Sequence, residues 1–371
     1  MTTPGGLHTN PYLASLPPYN AGMNIEVAKA ATGLTDFARL ASNENPHGCS
    51  PAVLAALSPD RFEPWRYNDP AAAELRMRLA AHLDAPVERV VVGNGSEELI
   101  AAITRAYVLP GDTFLTVQPS FGRHEIEAIA VGARLVKVEM TADLGFPLDA
   151  LETALAGEPA MFMLASPWNP VGAALRTDEL QRLIDAVRPG TLFVLDEAYI
   201  EFADADTPDG IAMLRDSGVA HLVLRTFSKA YGLAGMRVGY GVCSDPEIAR
   251  MMTGAKTPFD VNSAAQVAAV AALEDQQWMR ATVATIVAER ERVAAGLRAL
   301  GLRVSASQGN FVFFDCGGES SEFATALLHR GVIVKDWREA GYTGFVRASV
   351  GTGAENDRLL TAVAATLTTR D

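Results

Sequence analysis

The sequence predicts an α/β protein in which strands and helices alternate, followed by a smaller α+β region. Two observations carry this prediction. From about residue 71, short and nearly continuous apolar runs recur, as expected for strands of a parallel sheet that helices cover on both faces. Segments with helical periodicity separate these runs, and one begins at Thr177, which can cap a helix. The predicted strands of this region are 89–92, 113–117, 160–165, 192–195 and 221–224.

The predicted elements fall into three regions of the 371-residue chain, which is long for one hydrophobic core. Residues 1–44 form an arm rich in Pro, Gly and Asn that we expect to contribute to the smaller domain, and residues 45–265 form a large domain with the alternating pattern. Residues 266–371 form a smaller domain, in which a long helix carries a charged block at 289–292 that indicates a solvated face. Its other predicted elements are strands at 311–314, 332–334 and 345–348 and a helix at 321–330.

Composition and charge exclude several classes of function. Hydrophobic residues make up 49% of the chain, which is typical of a folded protein. Acidic residues outnumber basic ones by 44 to 31, so we expect no general binding to nucleic acid or to membrane surfaces. The three cysteines and six histidines lack the spacing of a metal or redox site, and no apolar run is long enough to span a membrane. We therefore expect a cytoplasmic protein without a metal site.

Two predicted strands end in motifs that can bind charged groups. Residues 93–97, Gly-Asn-Gly-Ser-Glu, open a helix whose free N–H groups and dipole can bind a phosphate, although a plain strand-to-helix turn has the same pattern. Glu98 stands where a dinucleotide-binding fingerprint requires glycine. Asp196 ends another strand, and its buried carboxylate needs a partner, either a cationic ring nitrogen or an internal cap or salt bridge.

A third motif supplies a lysine and an arginine. Lys229 follows hydroxyl-bearing Thr226 and Ser228, and partial desolvation there would lower its pKa and free its amine to form an imine with an aldehyde. Arg237, eight positions on, offers two parallel N–H donors to a phosphate. Together with Asp196 and residues 93–97, these groups are the parts needed to hold pyridoxal 5′-phosphate, which is therefore the expected cofactor.

The motifs resemble those of the class I and II aminotransferases of fold type I. The segments concerned are Ser-Pro-Trp-Asn-Pro-Val-Gly at 166–172, Asp-Glu-Ala-Tyr at 196–199 and Thr-Phe-Ser-Lys-Ala-Tyr-Gly-Leu-Ala-Gly-Met-Arg at 226–237. Further segments, from 17–19 through 40–46, 66–67 and 93–97 to 345–352, extend the resemblance over nearly the whole chain. Within the family, the sequence is most similar to the histidinol-phosphate aminotransferases. The implied fold is that of aspartate aminotransferase, a transferase fold that binds pyridoxal phosphate on a mostly parallel seven-stranded sheet.

The resemblance implies roles for residues around the cofactor ring. Lys229 would bind the cofactor covalently and later move a proton on the substrate. Asp196 would keep the pyridine nitrogen protonated, and Phe121 would stack on the ring where the family usually has tyrosine. Asn169 and Tyr199 would donate to the phenolate oxygen.

The resemblance also implies how the phosphate and the substrate are bound. The groups that would hold the cofactor phosphate belong to Gly95, Ser96, Glu97, Thr226, Ser228, Arg237 and Tyr67. Tyr67 would come from a second subunit, so the implied assembly is a homodimer with shared active sites, to which the arm at residues 1–44 contributes. The residues that would bind the substrate are Tyr19, Asn45, Lys335 and Arg347.

Two positions depart from the family's pattern. Asp260 stands where asparagine is common, and its charge would oppose a dianionic substrate if it faced the site. Lys335 stands where an arginine usually helps to bind the substrate's anionic end, and lysine lacks the two parallel donors of a guanidinium.

These inferences favour one reaction and leave others open. The expected reaction transfers the amino group of histidinol phosphate to 2-oxoglutarate, which gives imidazole acetol phosphate and L-glutamate. The alternatives are an aromatic or broad-range amino-acid aminotransferase, a decarboxylase of a phosphorylated amino acid that depends on pyridoxal phosphate, and an effector module of a transcription regulator. A NAD-dependent dehydrogenase would leave Lys229 and Arg237 unexplained.

Overall fold

The computed structural model describes the chain at residues 8–16, 23–58, 63 and 65–369. The strands of this part are β1 (Ala38–Arg39), β2 (Val90–Gly93), β3 (Thr113–Gln118), β4 (Arg134–Glu139), β5 (Met161–Ala165), β6 (Leu192–Asp196), β7 (His221–Thr226), β8 (Gly239–Cys243), β9 (Arg303–Val304), β10 (Phe311–Asp315), β11 (Val332–Ile333), β12 (Lys335–Asp336) and β13 (Phe345–Ser349). The α-helices are α1 (Ile25–Thr32), α2 (Pro51–Ala56), α3 (Ala73–Leu83), α4 (Ser96–Tyr107), α5 (Gly122–Ala130), α6 (Leu148–Leu155), α7 (Thr177–Ala186), α8 (Gly210–Leu214), α9 (Pro246–Ala255), α10 (Ser263–Glu274), α11 (Gln276–Ala299), α12 (Ser320–Leu328) and α13 (Gly353–Thr368). Short 3-10 helices lie at Leu13–Ser15, Val87–Arg89, Ile200–Phe202 and Ala234–Met236.

The largest sheet has seven strands in the order β2-β8-β7-β6-β5-β3-β4. The five strands from β7 to β4 are parallel, and β8 runs antiparallel to both of its neighbours. The predicted α/β fold with a mostly parallel seven-stranded sheet is therefore confirmed. Because the carboxyl ends of β5, β6 and β7 meet at one edge, the residues that follow these strands are brought together there.

Helices cover both faces of this sheet, which explains the continuous apolar runs. Alternate residues of a strand point to opposite faces. In β5, Phe162 and Leu164 belong to a core that also contains residues of α3, α6, α7 and α10. Met161 and Met163 belong to the opposite core, which contains residues of α4 and α9. A strand buried on both faces has no polar side, so its sequence does not alternate.

A smaller sheet forms a second lobe with its own core. Its strands are antiparallel in the order β12-β13-β10-β9, and the apolar side chains beneath it come also from α11, α12 and α13. Strand β1, from the amino-terminal segment, pairs in parallel with β11 of this lobe, with Ala38 opposite Val332. Ala38 and Leu40 are buried in the same core. The amino-terminal segment is thus part of the second lobe's packing.

Helix α11 belongs to both cores. Met279 and Ile286 pack in the core of the large sheet, whereas Val293 and Leu297 pack in the core of the second lobe. Helix α10, which precedes it, packs with the large sheet along its whole buried side. The predicted boundary after residue 265 stays a prediction, and this packing favours a later division inside α11.

Three local expectations were wrong or incomplete. Thr177 is the first residue of α7 and not its cap; the cap is Arg176, whose backbone N–H donates to Glu179 Oε2 at 2.8 Å. The charged block of α11 is not wholly solvated, because Arg290 is 4% exposed and donates to the carbonyls of Phe202 and Gly309. Strands β4 and β8 were not predicted, because their partly polar or glycine-rich residues do not form the continuous apolar runs on which the strand predictions rest. Among the described helices, none is both long and apolar enough to cross a membrane.

Candidate active site

A cavity of about 530 Å³ lies between the two lobes at the carboxyl ends of β5, β6 and β7. Most of the residues predicted to act on cofactor or substrate line this one space. They are Ser96, Glu97, Phe121, Asn169, Asp196, Tyr199, Thr226, Ser228, Lys229, Arg237, Lys335 and Arg347. The topology therefore brings together groups that lie up to 251 positions apart, from Ser96 to Arg347 (347 − 96 = 251).

The turn between β2 and α4 forms one end of the cavity. Gly95 has a φ of +78°, which favours glycine, and a Cβ atom there would lie 2.5 Å from Arg237 Nη2 and would displace the guanidinium. Gly239 of β8 lets the strand approach the first turn of α4, since its Cβ would lie 2.3 Å from the Ser96 nitrogen. The N–H groups at the start of α4 and the Arg237 guanidinium thus face one point, as an anion site requires.

Side chains around this turn add donors and one carboxylate. Thr226 Oγ1 donates to Ser228 Oγ at 3.0 Å and accepts from the Ser228 backbone N–H at 3.1 Å. Arg237 Nη2 lies 2.9 Å from Glu97 Oε2. Both of these charged side chains are more than one-third exposed, so the ion pair is weak and a phosphate can replace the carboxylate on the guanidinium. The donor set fits the phosphate of pyridoxal phosphate.

Lys229 lies just after β7 with its amine in the cavity. Its Nζ donates to the Ser42 carbonyl at 3.1 Å and lies 5.8 Å from the centre of the Tyr199 ring. Burial lowers the pKa of Lys229 to about 8, and the positive charge of Arg347 adds to this effect. A larger fraction of this amine is therefore unprotonated at neutral pH than for an ordinary lysine, and only the unprotonated amine is nucleophilic.

Asp196 ends β6 and is held by a histidine that the sequence analysis missed. Asp196 is 4% exposed; its Oδ2 lies 3.2 Å from His124 Nε2, and its Oδ1 accepts from the Ala198 N–H at 3.1 Å. His124 is 1% exposed and lies on α5 one turn after Phe121, with the two rings edge to face. This one-turn spacing from a residue predicted to stack on the cofactor was the available sequence signal.

Asn43 also enters the site without having been predicted. It is 1% exposed, has a φ of +53°, and its Nδ2 donates to the Tyr199 hydroxyl at 3.0 Å. Its backbone N–H donates to Ser349 Oγ at 2.7 Å, which ties it to β13. By contrast, the predicted Asn45 does not line the cavity, and its Nδ2 donates to the Ala230 carbonyl.

Arg347, on β13, is positioned across the cavity by the other lobe. Its Nη1 donates to Asn169 Oδ1 and its Nη2 to the Ala41 carbonyl, both at 2.6 Å. The side chain is 7% exposed and lies over the Phe311 ring. Lys335 pairs in register with Arg347 on the adjacent strand β12, and burial lowers its pKa to about 8. The two cations lie side by side in the cavity lining and form its predicted anion-binding wall.

Asp260 does not face this cavity. Its carboxylate lies 2.8 Å from Lys256 Nζ and hydrogen-bonds with Glu98, beside a separate cavity of about 100 Å³. Glu98 in turn accepts from the Asn94 N–H at 2.7 Å, so this cluster holds the turn before α4 from behind. The condition under which Asp260 would oppose a dianionic substrate is therefore not met.

This cluster predicts a pH-dependent stability. Burial and the contact with Asp260 raise the pKa of Glu98 to about 7, so the folded protein holds this proton more tightly than the unfolded chain, where the pKa is near 4.5. The stability that the raised pKa of Glu98 contributes is fully present below pH 4.5, and it is lost as the pH rises through 7. We expect the melting temperature to fall by a few degrees over this interval. Asp260→Asn, which removes the like charge, should reduce the fall in thermal scans; an equally steep fall would contradict the assignment.

Two predicted residues lie elsewhere. Tyr67 is 85% exposed, stacks on Phe259 with 4.6 Å between ring centres, and does not line the cavity of its own chain. Tyr19 lies outside the described residues. Among the described residues, no group of three or more His, Cys, Asp or Glu side chains could hold a metal ion.

The fold and the cavity define a family, and comparison with known proteins gives the same one. Residues 35–363 match the family of class I and II aminotransferases, and the chain therefore belongs to it. Histidinol-phosphate aminotransferase 3 of Rhizobium meliloti (strain 1021) is 44% identical to it over 353 residues, 95% of each protein. Histidinol-phosphate aminotransferase 2 of Caulobacter vibrioides is 40% identical over 349 residues, 94% of this chain and 91% of that protein.

Solved structures show the same likeness. The histidinol-phosphate aminotransferase of Sinorhizobium meliloti, solved in complex with pyridoxal-5′-phosphate, superposes with a TM-score of 0.89, at 30% identity and over 98% of both chains. An aspartate aminotransferase of Thermus thermophilus superposes with a TM-score of 0.82 at 22% identity, over 97% of this chain and 99% of that one. The latter comparison concerns the fold alone, and it confirms the expected aspartate aminotransferase-like architecture.

Proposed function

We propose that the protein is an aminotransferase dependent on pyridoxal phosphate that transfers the amino group of histidinol phosphate to 2-oxoglutarate. The observation that carries this proposal is the single cavity in which Lys229, Asp196 and the anion site of Arg237 meet. The names of the relatives at 40 to 44% identity support the choice of substrate.

The residues present fit pyridoxal phosphate at both of its charged groups. The start of α4, Arg237 and the two hydroxyls would hold the phosphate, and Asp196 would hold the ring nitrogen. When bound, pyridoxal phosphate supplies an aldehyde that takes up the amino group and a ring that withdraws electrons from the substrate's α-carbon. Phe121, at the amino end of α5, would cover one face of the ring.

This chain's residues would then position the substrate and move one proton. Lys229 Nζ would accept the proton of the substrate's α-carbon and donate it to the aldehyde carbon of the cofactor, on the other side of the amino nitrogen, which requires an amine whose pKa lies near the working pH. His124 orients the Asp196 carboxylate, and Asn43 orients the Tyr199 hydroxyl. Arg347 and Lys335 would bind the anionic end of the substrate.

A substrate panel tests this proposal. With 2-oxoglutarate as acceptor near pH 7.5, where Lys335 is still largely protonated, we expect kcat/KM for histidinol phosphate to exceed that for phenylalanine by about a hundredfold, measured as glutamate formed. The reason is that the phosphate group of histidinol phosphate can bind both cations of the anion-binding wall, Lys335 and Arg347. A larger value for phenylalanine would contradict the proposal, and carbon dioxide released without 2-oxoglutarate would indicate a decarboxylase.

One observation favours a second candidate function. Ile126, Ile129 and Trp337 give the cavity an apolar side, and Lys335 replaces the arginine expected for a phosphate-bearing substrate. An aromatic amino-acid aminotransferase would suit this wall, and the panel separates the two functions.

We also propose a homodimer and a cytoplasmic location. Tyr67 and Phe259 form an exposed aromatic pair, as expected for residues that contact a second subunit. Sedimentation should give twice the mass of one chain. The cytoplasm is consistent with Cys49, Cys243 and Cys316, which are thiols and not disulfides, and fractionation of the source cells tests it.

A further inference from the structure

One part of the cavity wall carries acidic side chains from both lobes. Glu125 lies on α5 of the large lobe, and Glu339 lies in the loop between β12 and β13 of the second lobe. Both carboxylates contact the ammonium of Lys137 on β4. The two carboxylates are 20% and 17% exposed, so this cluster is largely removed from water.

The ammonium is shared unequally. Lys137 Nζ lies 2.9 Å from Glu339 Oε1 but 3.3 and 3.4 Å from the two oxygens of Glu125. Glu339 Oε2 also accepts from the Trp337 indole N–H at 3.3 Å and from the Ser120 backbone N–H at 3.2 Å. Both oxygens of Glu339 therefore have donors, and its charge is the one that Lys137 chiefly balances.

Glu125 keeps capacity to accept another hydrogen bond. Its Oε1 accepts from the Ser120 hydroxyl at 2.8 Å. Among the described residues, its Oε2 has only the 3.4 Å contact with Lys137. Because two carboxylates share one ammonium, the cluster carries one negative charge when both are ionised. A carboxylate in this position is stabilised by a donor from a ligand in the cavity.

The same cavity contains groups that favour ligands of different chemistry. Lys335 and Arg347 attract an anion, whereas Glu125 attracts an N–H donor, and Ile126, Ile129 and Trp337 offer apolar contact. A substrate that satisfies all of them has an anionic end and a flat ring with a polar N–H. An imidazole ring has this N–H and is cationic below about pH 6.5, whereas a phenyl ring has none.

We propose that Glu125 accepts a hydrogen bond from the ring N–H of the amino donor and so selects an imidazole-bearing substrate over a phenyl-bearing one. This inference rests on the proposed function and names a specificity-determining residue for it. A phenyl ring at the same place would remove water from Glu125 Oε2 and supply no donor in its stead, which leaves this oxygen with the 3.4 Å contact to Lys137. Glu339 acts as a positioning residue, because it draws Lys137 away from Glu125.

The test compares two substrates that differ only in the ring. Histidinol phosphate and phenylalaninol phosphate share the phosphate and the amine, so the ratio of their kcat/KM values isolates the contribution of the ring. We expect Glu125→Gln, which keeps the size but loses the charge, to lower this ratio by about tenfold, and Glu125→Leu to lower it further. The lower ratio should result from a lower kcat/KM for histidinol phosphate, whereas kcat/KM for phenylalaninol phosphate should be unchanged or higher.

A control and a set of outcomes make the test decisive. Glu139→Gln removes an exposed carboxylate two residues after Lys137 on the same strand, and it should leave the ratio unchanged. A ratio unchanged in both Glu125 variants, or an equal loss on both substrates, overturns the assignment of Glu125. If the unaltered enzyme forms no glutamate from histidinol phosphate, the proposed function has failed, and this inference fails with it.

Discussion

Lys229→Ala should reduce transamination by about 10⁴-fold or more while leaving the fold intact. The expectation follows from the position of the Lys229 amine, which lies in the cavity, donates to the Ser42 carbonyl at 3.1 Å, and has a pKa lowered to about 8. Lys335, the other lysine that lines the cavity among the described residues, lies on β12 beside Arg347 and belongs to the predicted substrate-binding groups. The measurement is glutamate formed from histidinol phosphate and 2-oxoglutarate.

A chemical label separates loss of the amine from loss of the fold. Borohydride should fix the cofactor on Lys229 of the unaltered protein, as a mass increase on the peptide that contains this residue, and should fix none there in the variant. Lys29→Ala is the matched control, since Lys29 is an exposed lysine paired with Glu26 on α1. Full turnover by Lys229→Ala would refute the proposed mechanism.

Asp196→Asn should lower kcat by about 10²- to 10³-fold. The carboxylate is buried and fixed by His124, so its charge would act on the ring nitrogen of the bound cofactor with little screening. The carboxylate would raise the pKa of the ring nitrogen, and each pKa unit corresponds to about 1.4 kcal/mol, or a factor of ten in rate. If the asparagine variant loses about two of these units, kcat falls by about 10²-fold. Asparagine keeps the size and one acceptor but removes the charge. Steady-state kinetics with saturating histidinol phosphate provide the measurement.

The cause can be checked with an altered cofactor. A pyridoxal phosphate methylated on the ring nitrogen is permanently cationic and does not need the carboxylate to keep its charge. It should restore part of the activity of Asp196→Asn and little of that of Lys229→Ala. Asp206→Asn, at an exposed carboxylate, is the control and should match the unaltered enzyme. Failure of the methylated cofactor to help would show that Asp196 acts chiefly on structure.

Sequence predicted the parts of the site that depend on local signals. An apolar run that is visible in the sequence as a strand leads to each of three parts of the site: Lys229, Asp196 and the turn at Gly95. The topology of a parallel sheet brings the ends of such strands together. For this reason, the fold class and most of the cavity were predicted from short motifs.

Contacts between distant segments could not be predicted in the same way. Asn43 meets Tyr199 across 156 positions, and His124 meets Asp196 across 72, so neither contact leaves a local pattern. Arg290 belongs to a block that resembles a solvated face, yet two carbonyls of other segments bind it. The position of Asp260 was equally hidden, because it depends on the contact with Glu98 of α4, far earlier in the chain.

The pairing of β1 with β11 also fixes the order in which the site can be completed during synthesis. Ala41, Ser42 and Asn43 contact Arg347, Lys229 and Tyr199, respectively. Yet Ala38 pairs with Val332, and Asn43 is bound by Ser349. The ribosome releases this segment some three hundred positions before the strands that hold it. The large sheet can therefore fold while the chain is still growing, whereas the cofactor pocket closes only after β13 has emerged.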